Sequence, residues 1–150
     1  VKGLFDAPTA DEIRSRIARL APDSPRQWGT MNPAQMVAHC AEFMRIATGE
    51  IHPPRMLLGR LIGPIVRRVA LRDERPSPRN MPTVPGFAIA DEREFSSERN
   101  RLAMLVDRFV SGGANACTTT PHSFFGRLTP EQWSALMYKH LDHHLRQFGA

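Results

Sequence analysis

Cysteine is scarce in this chain, with Cys40 and Cys117 the only two among 150 residues. Two cysteines make no disulfide framework, and a chain of this length buries enough surface to fold without staples. One domain over residues 1–150 in a reducing, cytoplasmic setting is the expectation. Long apolar runs are also missing. No window reaches about 18 uncharged apolar residues, so no membrane span is expected. Val1 to Leu20 lacks the apolar segment of a secretory signal. Charge is not one-sided either: 20 Lys and Arg against 15 Asp and Glu give a net +5. The arginines are scattered along the chain, which argues against a nucleic-acid binder. There is no Ser-His-Asp signature, glycine-rich phosphate loop or CxxC pair.

Four segments carry helical periodicity. The first is read from Thr9 to Leu20, with Thr9-Ala10-Asp11-Glu12 as a capping box and Ile13, Ile17 and Leu20 on one face. The second runs from Asn32 to Thr48, capped by Asn32 with Pro33 and Gln35 behind it and closed by Gly49. The third spans Asp91 to Ser111 and stops at Gly112-Gly113. The fourth starts at Thr129-Pro130-Glu131-Gln132 and ends at Phe148, before Gly149.

The insert from Ile51 to Gly86 separates the second and third of these helices. Met56 to Arg72 is rich in leucine, isoleucine and valine but is punctuated by Gly59, Gly63 and Pro64, so one or two short helices are expected. Its arginines also suit a basic segment on a membrane surface. The interruption at Pro64 favours a helical cover on the bundle instead. Glu74 to Gly86 holds four prolines and reads as an extended connector. A connector of this length lets the helices on either side of it run parallel, whereas short loops join antiparallel neighbours. An all-α four-helix bundle of up-down-down-up topology follows.

Three of the six histidines fall in the run His140-Leu141-Asp142-His143-His144. At about 100° per residue, Trp133, Met137, His140 and His144 share a sector of roughly 60°, and His143 lies outside it. Imidazoles at i and i+4 can chelate one metal ion. His39 lies on the apolar face of the second helix, in its N-terminal half. If that helix and the last run antiparallel, His39 meets His140 and His144. A parallel pair starting level would separate His39 from His144 by about 12 Å. Three imidazoles leave a coordination position open, the mark of a catalytic or substrate-binding site. Imidazole suits zinc, nickel, iron or copper, with zinc and nickel placed first.

The histidine run and Met36-Val37-Ala38-His39 resemble the DinB-like superfamily. Pro121-His122-Ser123-Phe124-Phe125-Gly126 and the following Leu128-Thr129-Pro130-Glu131 are similar to a branch catalogued as a domain of unknown function. The resemblance implies an up-down-down-up bundle holding a divalent metal through His39, His140 and His144. It also implies relatives that act as metal-dependent thiol transferases or a thiol-dependent isomerase.

The remaining candidates are weaker. Cys40 points away from His39 and reads as an inert buried thiol, and Cys117 lies in a threonine-rich loop. Glu42, nearly one turn past His39, is placed to accept from a ligand or act as general base but reads rather as a solvated carboxylate, and His52 and His122 read as solvated loop residues. Phe124 and Phe125 are expected either to pack at the helix start or, with the insert, to wall a cleft beside the metal. The resulting expectation is a metal-dependent enzyme on a small molecule, by thiol transfer or hydrolysis, with a low-molecular-weight thiol as one substrate class. The alternative is a non-catalytic metal- or ligand-binding module, with a structural or stress-related interaction protein third. A homodimer is allowed for. The sequence supplies ligands but no general base.

Overall fold

A computed structural model of the chain describes residues 1–79 and 86–150. In chain order the elements are α1 (Ala7–Arg19), α2 (Pro33–Ala47), α3 (Leu57–Ala70), α4 (Phe95–Gly112), a 3-10 turn (Gly113–Ala116) and α5 (Pro130–Gln147). Among the described residues the only β pairing is an isolated bridge between His122 and Gly126, so the protein is all-α as expected.

The helix ends show local chemistry at work. α2 and α5 both open with complete capping boxes, Asn32 with Gln35 and Thr129 with Gln132, and each has proline in its first turn. α1 starts earlier than the sequence suggested. The Asp6 carboxylate accepts the Thr9 amide at 3.1 Å and the Thr9 hydroxyl at 2.6 Å, so Asp6 is the cap and Thr9 belongs to the first turn. Glu94 caps α4 by accepting the amides of Ser96 and Ser97. Of the proline-rich connector expected over Glu74 to Gly86, residues 74–79 are non-helical, as expected; residues 80–85, with Pro82 and Pro85, lie outside the described residues.

The core lies where α2 packs on α4 and α5 and where α1 closes against the same two helices. Met36, Val37, Met44, Leu102, Val106, Phe109, Trp133, Met137, Leu141 and Leu145 are fully buried there. One ion pair crosses this interior. Arg16 Nη1 of α1 donates to Asp142 Oδ1 of α5 at 2.8 Å, both side chains being 9% exposed. Its Nη2 donates to the Ala150 carbonyl at 3.0 Å. Asp142 lies in the histidine run but faces away from His140, so its bond to Arg16 fixes the rotation of α5 about its axis.

α3 is a single helix that continues through Pro64, within the one or two expected, but it departs from the expectation in that its apolar side does not cover the bundle. Gly59 and Gly63 face inward instead. A Cβ on Gly59 would fall 2.6 Å from both Cα and O of Phe124, and one on Gly63 would also meet the Phe124 carbonyl. Only glycines allow a helix to approach the backbone of the 122–127 loop this closely. The helix is fastened there by the Met56 amide on the Ser123 carbonyl at 3.0 Å, by Arg55 on the His122 carbonyl and by Arg67 on the Arg127 carbonyl. Lys139 of α5 donates to the carbonyls of Ala70 and Asp73 at the far end.

Asp142→Ala removes the buried carboxylate from the Arg16 guanidinium and leaves it only the more exposed carboxylate of Glu12, at 3.2 Å. It is expected to cost about 3–5 kcal/mol, the usual price of breaking a buried pair by removing one partner. Urea unfolding of the two proteins measures this, and a loss below about 1 kcal/mol would mean that the pair does not hold α5.

Candidate metal centre

His39 projects from the second turn of α2, and His140 and His144 from successive turns of α5. One ring nitrogen from each lies within 4.8 Å of the others. The Nε2 atoms of His39 and His140 are 3.2 Å apart. Nitrogens bound to one tetrahedral ion at about 2.0–2.1 Å stand about 3.3 Å apart, so this pair already has ligand spacing. Phe43 stacks on His140 at 4.2 Å between ring centroids and lies 4.8 Å from His39, walling one side. Phe87 meets Phe43 edge-on behind it.

The tautomers follow from the hydrogen bonds. His39 Nδ1 is 2.9 Å from the Phe87 carbonyl, which can only accept, so Nδ1 carries the proton and Nε2 keeps a lone pair. His144 Nδ1 is 2.9 Å from Gln147 Oε1. The Gln147 amide cannot be turned round, because its nitrogen donates to the Trp28 carbonyl at 2.8 Å. His144 therefore also holds its proton on Nδ1 and presents a bare Nε2. In metal proteins such outer partners set the ring orientation and raise ligand basicity. With His39 Nε2 bare, the 3.2 Å contact is a hydrogen bond from His140 Nε2–H, which a metal ion would replace.

All three rings are held neutral. Burial lowers the His39 pKa, opposed by the Phe87 carbonyl. Burial, then the neighbouring imidazoles His144 and His39, hold His140 well below its ordinary range. Burial and His39 bring His144 down to about 3. Neutral imidazole is the form that binds metal.

The other candidates fall elsewhere. His143 packs on Trp28 at 5.5 Å and stays out of the three-histidine group. Burial pushes the Cys40 thiol well up, and its nearest partner is Met36 Sδ, as expected of an inert thiol. Cys117 is pushed up to about 11 by burial and by Glu131. Glu42 is ion-paired with Arg45 and Arg101. His52 is exposed, but His122 is not the solvated residue expected. It is buried, its Nδ1 accepts the amides of Phe124 and Phe125, and burial then nearby Arg55 lower its pKa to about 4. It fixes the loop, a role with no signal in the residue pattern. Phe124 and Phe125 lie under α3 and beside His122, as packing at the start of α5 would have them. Two clefts among the described residues, one around Ile46, His52 and Pro121 and one between α1 and α4 around Arg14 and Arg99, are lined by none of the three histidines. Gln147 was missed, although its position three residues after His144 places it on the same side of the helix. The carbonyls of Trp28 and Phe87 carry no side-chain signal at all.

A protein-family model described as "Protein of unknown function (DUF1569)" matches residues 4–150, and the chain belongs to that family. No curated protein and no solved structure matches the chain.

Two outcomes follow from this geometry. Each imidazole binds its proton less readily when folded than at its ordinary value of 6.5. Between the lowered and ordinary values the unfolded chain carries more protons, so stability rises with pH across that window. The metal-free protein should be most stable above about pH 6.5 and lose stability steadily as the pH falls below it. Urea unfolding at a series of pH values checks this, and a flat profile from neutral to mildly acidic pH would contradict it. Gln147→Leu should free the His144 ring and lower zinc affinity about 10–100-fold, with the fold intact by circular dichroism. Unchanged affinity would mean that the amide does not orient the ligand.

Proposed function

We propose that this chain is a DinB-like, single-domain bundle of up-down-down-up topology that binds one divalent metal, zinc or nickel, through His39, His140 and His144. The topology is supported by contacts at both ends of the α2–α5 pair. The Gln27 amide, before α2, bonds the Gln147 carbonyl at the end of α5 at 2.8 Å. At the end of α2, the Ala47 carbonyl accepts from the Thr118 amide, next to Cys117, whose sulfur lies 4.0 Å from the Pro130 carbonyl at the start of α5. The observation that carries the metal reading is the matched pair of fixed tautomers. The Phe87 carbonyl and the Gln147 amide each hold a proton on the outer nitrogen of a buried histidine and leave the inner one bare.

The reading extends to a metal-dependent enzyme acting on a small molecule, by thiol transfer or hydrolysis. A divalent ion supplies Lewis acidity at whatever positions the protein leaves open. Around it, the three histidines bind and orient, Gln147 fixes one ring, and Phe43 keeps water from one side. A low-molecular-weight thiol is the substrate class this reading favours. Two unpaired cysteines, one of them buried, support the accompanying cytoplasmic assignment. One observation favours the second reading, a binding module without turnover: Glu42, the carboxylate nearest His39 in sequence, is held by two arginines rather than facing the rings.

His140→Ala and His144→Ala should each abolish stoichiometric zinc or nickel binding, while His143→Ala should largely spare it. Calorimetric titration of the metal-free proteins measures this. Equal loss from all three variants would sink the ligand assignment. Turnover of thiol-transfer or hydrolase substrates that disappears with chelator and returns with metal separates the enzyme from the binding module.

A further inference from the structure

α3 presents an apolar face to the outside. Leu57 and Leu61 are each 78% exposed, Ile65 68% and Val69 61%, and Leu58 and Ile62 complete the patch. At about 100° per residue these six positions fill an arc of roughly 140° on one side of the helix. The arrangement is not a loosely placed segment that can roll inward. Gly59 and Gly63 are pressed against the Phe124 backbone, where a side chain has no room, and the helix is tied down by Met56, Arg67 and Lys139. Turning the leucines inward would break all of these contacts.

The charge around this face has one sign. From Ile51 to Arg72 there are five arginines, Arg55, Arg60, Arg67, Arg68 and Arg72, and no aspartate or glutamate. The nearest acids, Glu50 and Asp73, are both engaged by arginines. Arg60 and Arg68 are exposed and lie along one edge of the apolar arc. A second copy seated face to face would oppose arginine with arginine and bring no carboxylate from this segment to offset them. An anionic lipid surface complements both features, taking the leucines into the acyl boundary and the guanidinium groups among the headgroups. No described helix is long and apolar enough to cross a membrane, so the contact is an in-plane one over the roughly 21 Å length of this helix.

We propose that the outward face of α3, with Arg60 and Arg68 at its edge, is a docking surface for an anionic membrane. This stands independently of the histidine site, which lies between α2 and α5. The test is co-flotation of the full chain with vesicles of phosphatidylcholine alone or mixed with phosphatidylserine. The protein should float with the mixed vesicles at least about tenfold more than with neutral ones, and added salt should reduce the difference. Leu61→Asn with Ile65→Asn should lower binding to the mixed vesicles at least about tenfold. Arg60→Gln with Arg68→Gln should remove the preference for phosphatidylserine. Circular dichroism and gel filtration establish that each variant stays folded. Should the asparagine variant unfold, protection of Arg60 and Arg68 of the unaltered chain from trypsin by mixed vesicles gives the same information. A chain that stays off both vesicle types at low salt overturns the proposal. So does an asparagine variant that floats like the parent, or a dimer that this variant splits while neither form floats.

Discussion

Three imidazoles buried together cannot all carry charge. Two unit charges at the 4.8 Å limit of this cluster repel by about 3–4 kcal/mol at an effective dielectric constant near 20. Burial adds a further cost to each. The fold therefore holds three neutral rings side by side at neutral pH, each with one nitrogen free of a proton. Such a cluster gains little as packing, since its polar atoms are only partly satisfied by one another. In the proposed reading, a cation that replaced the His39–His140 contact would offset that cost. Much of the surrounding architecture can be understood as the means of keeping these rings in register.

Two kinds of support achieve this. The buried pair between Arg16 and Asp142 sets the rotation of α5, and with it the direction of His140 and His144 on the opposite side of that helix. The bonds from Phe87 to His39, and from Trp28 through Gln147 to His144, then set the individual rings. The groups holding the rings come from the segment before α2, the segment before α4 and the end of α5. The site thus draws on parts of the chain that are distant in sequence. An error in the packing of α1 would reach it through Asp142.

The helices that build the site were legible in the sequence because their ends carry side-chain signals. Asn32 with Gln35, and Thr129 with Gln132, marked α2 and α5 within one residue. The i, i+4 spacing of His140 and His144 and the depth of His39 sufficed to bring the rings together. The start of α1 was misread because Asp6 outcompetes Thr9 as the cap, and both are good caps. The direction of α3 was not legible. An amphipathic pattern shows that a helix has an apolar side without saying which side meets the protein. Here two glycines and a loop backbone decided it, and the continuity of the helix through Pro64 ran against the proline's ordinary meaning.

The central claim is that the three histidines bind one divalent ion, His39 and His144 through the nitrogens that their hydrogen bonds leave bare and His140 through the nitrogen that gives up its bond to His39. X-ray absorption at the zinc edge of the zinc-loaded protein tests it most directly. The account predicts three imidazole nitrogens at about 2.0–2.1 Å, with the ring carbons scattering in the outer shell as imidazole requires, and no sulfur ligand. A sulfur neighbour at about 2.3 Å, or fewer than three imidazoles, would contradict it.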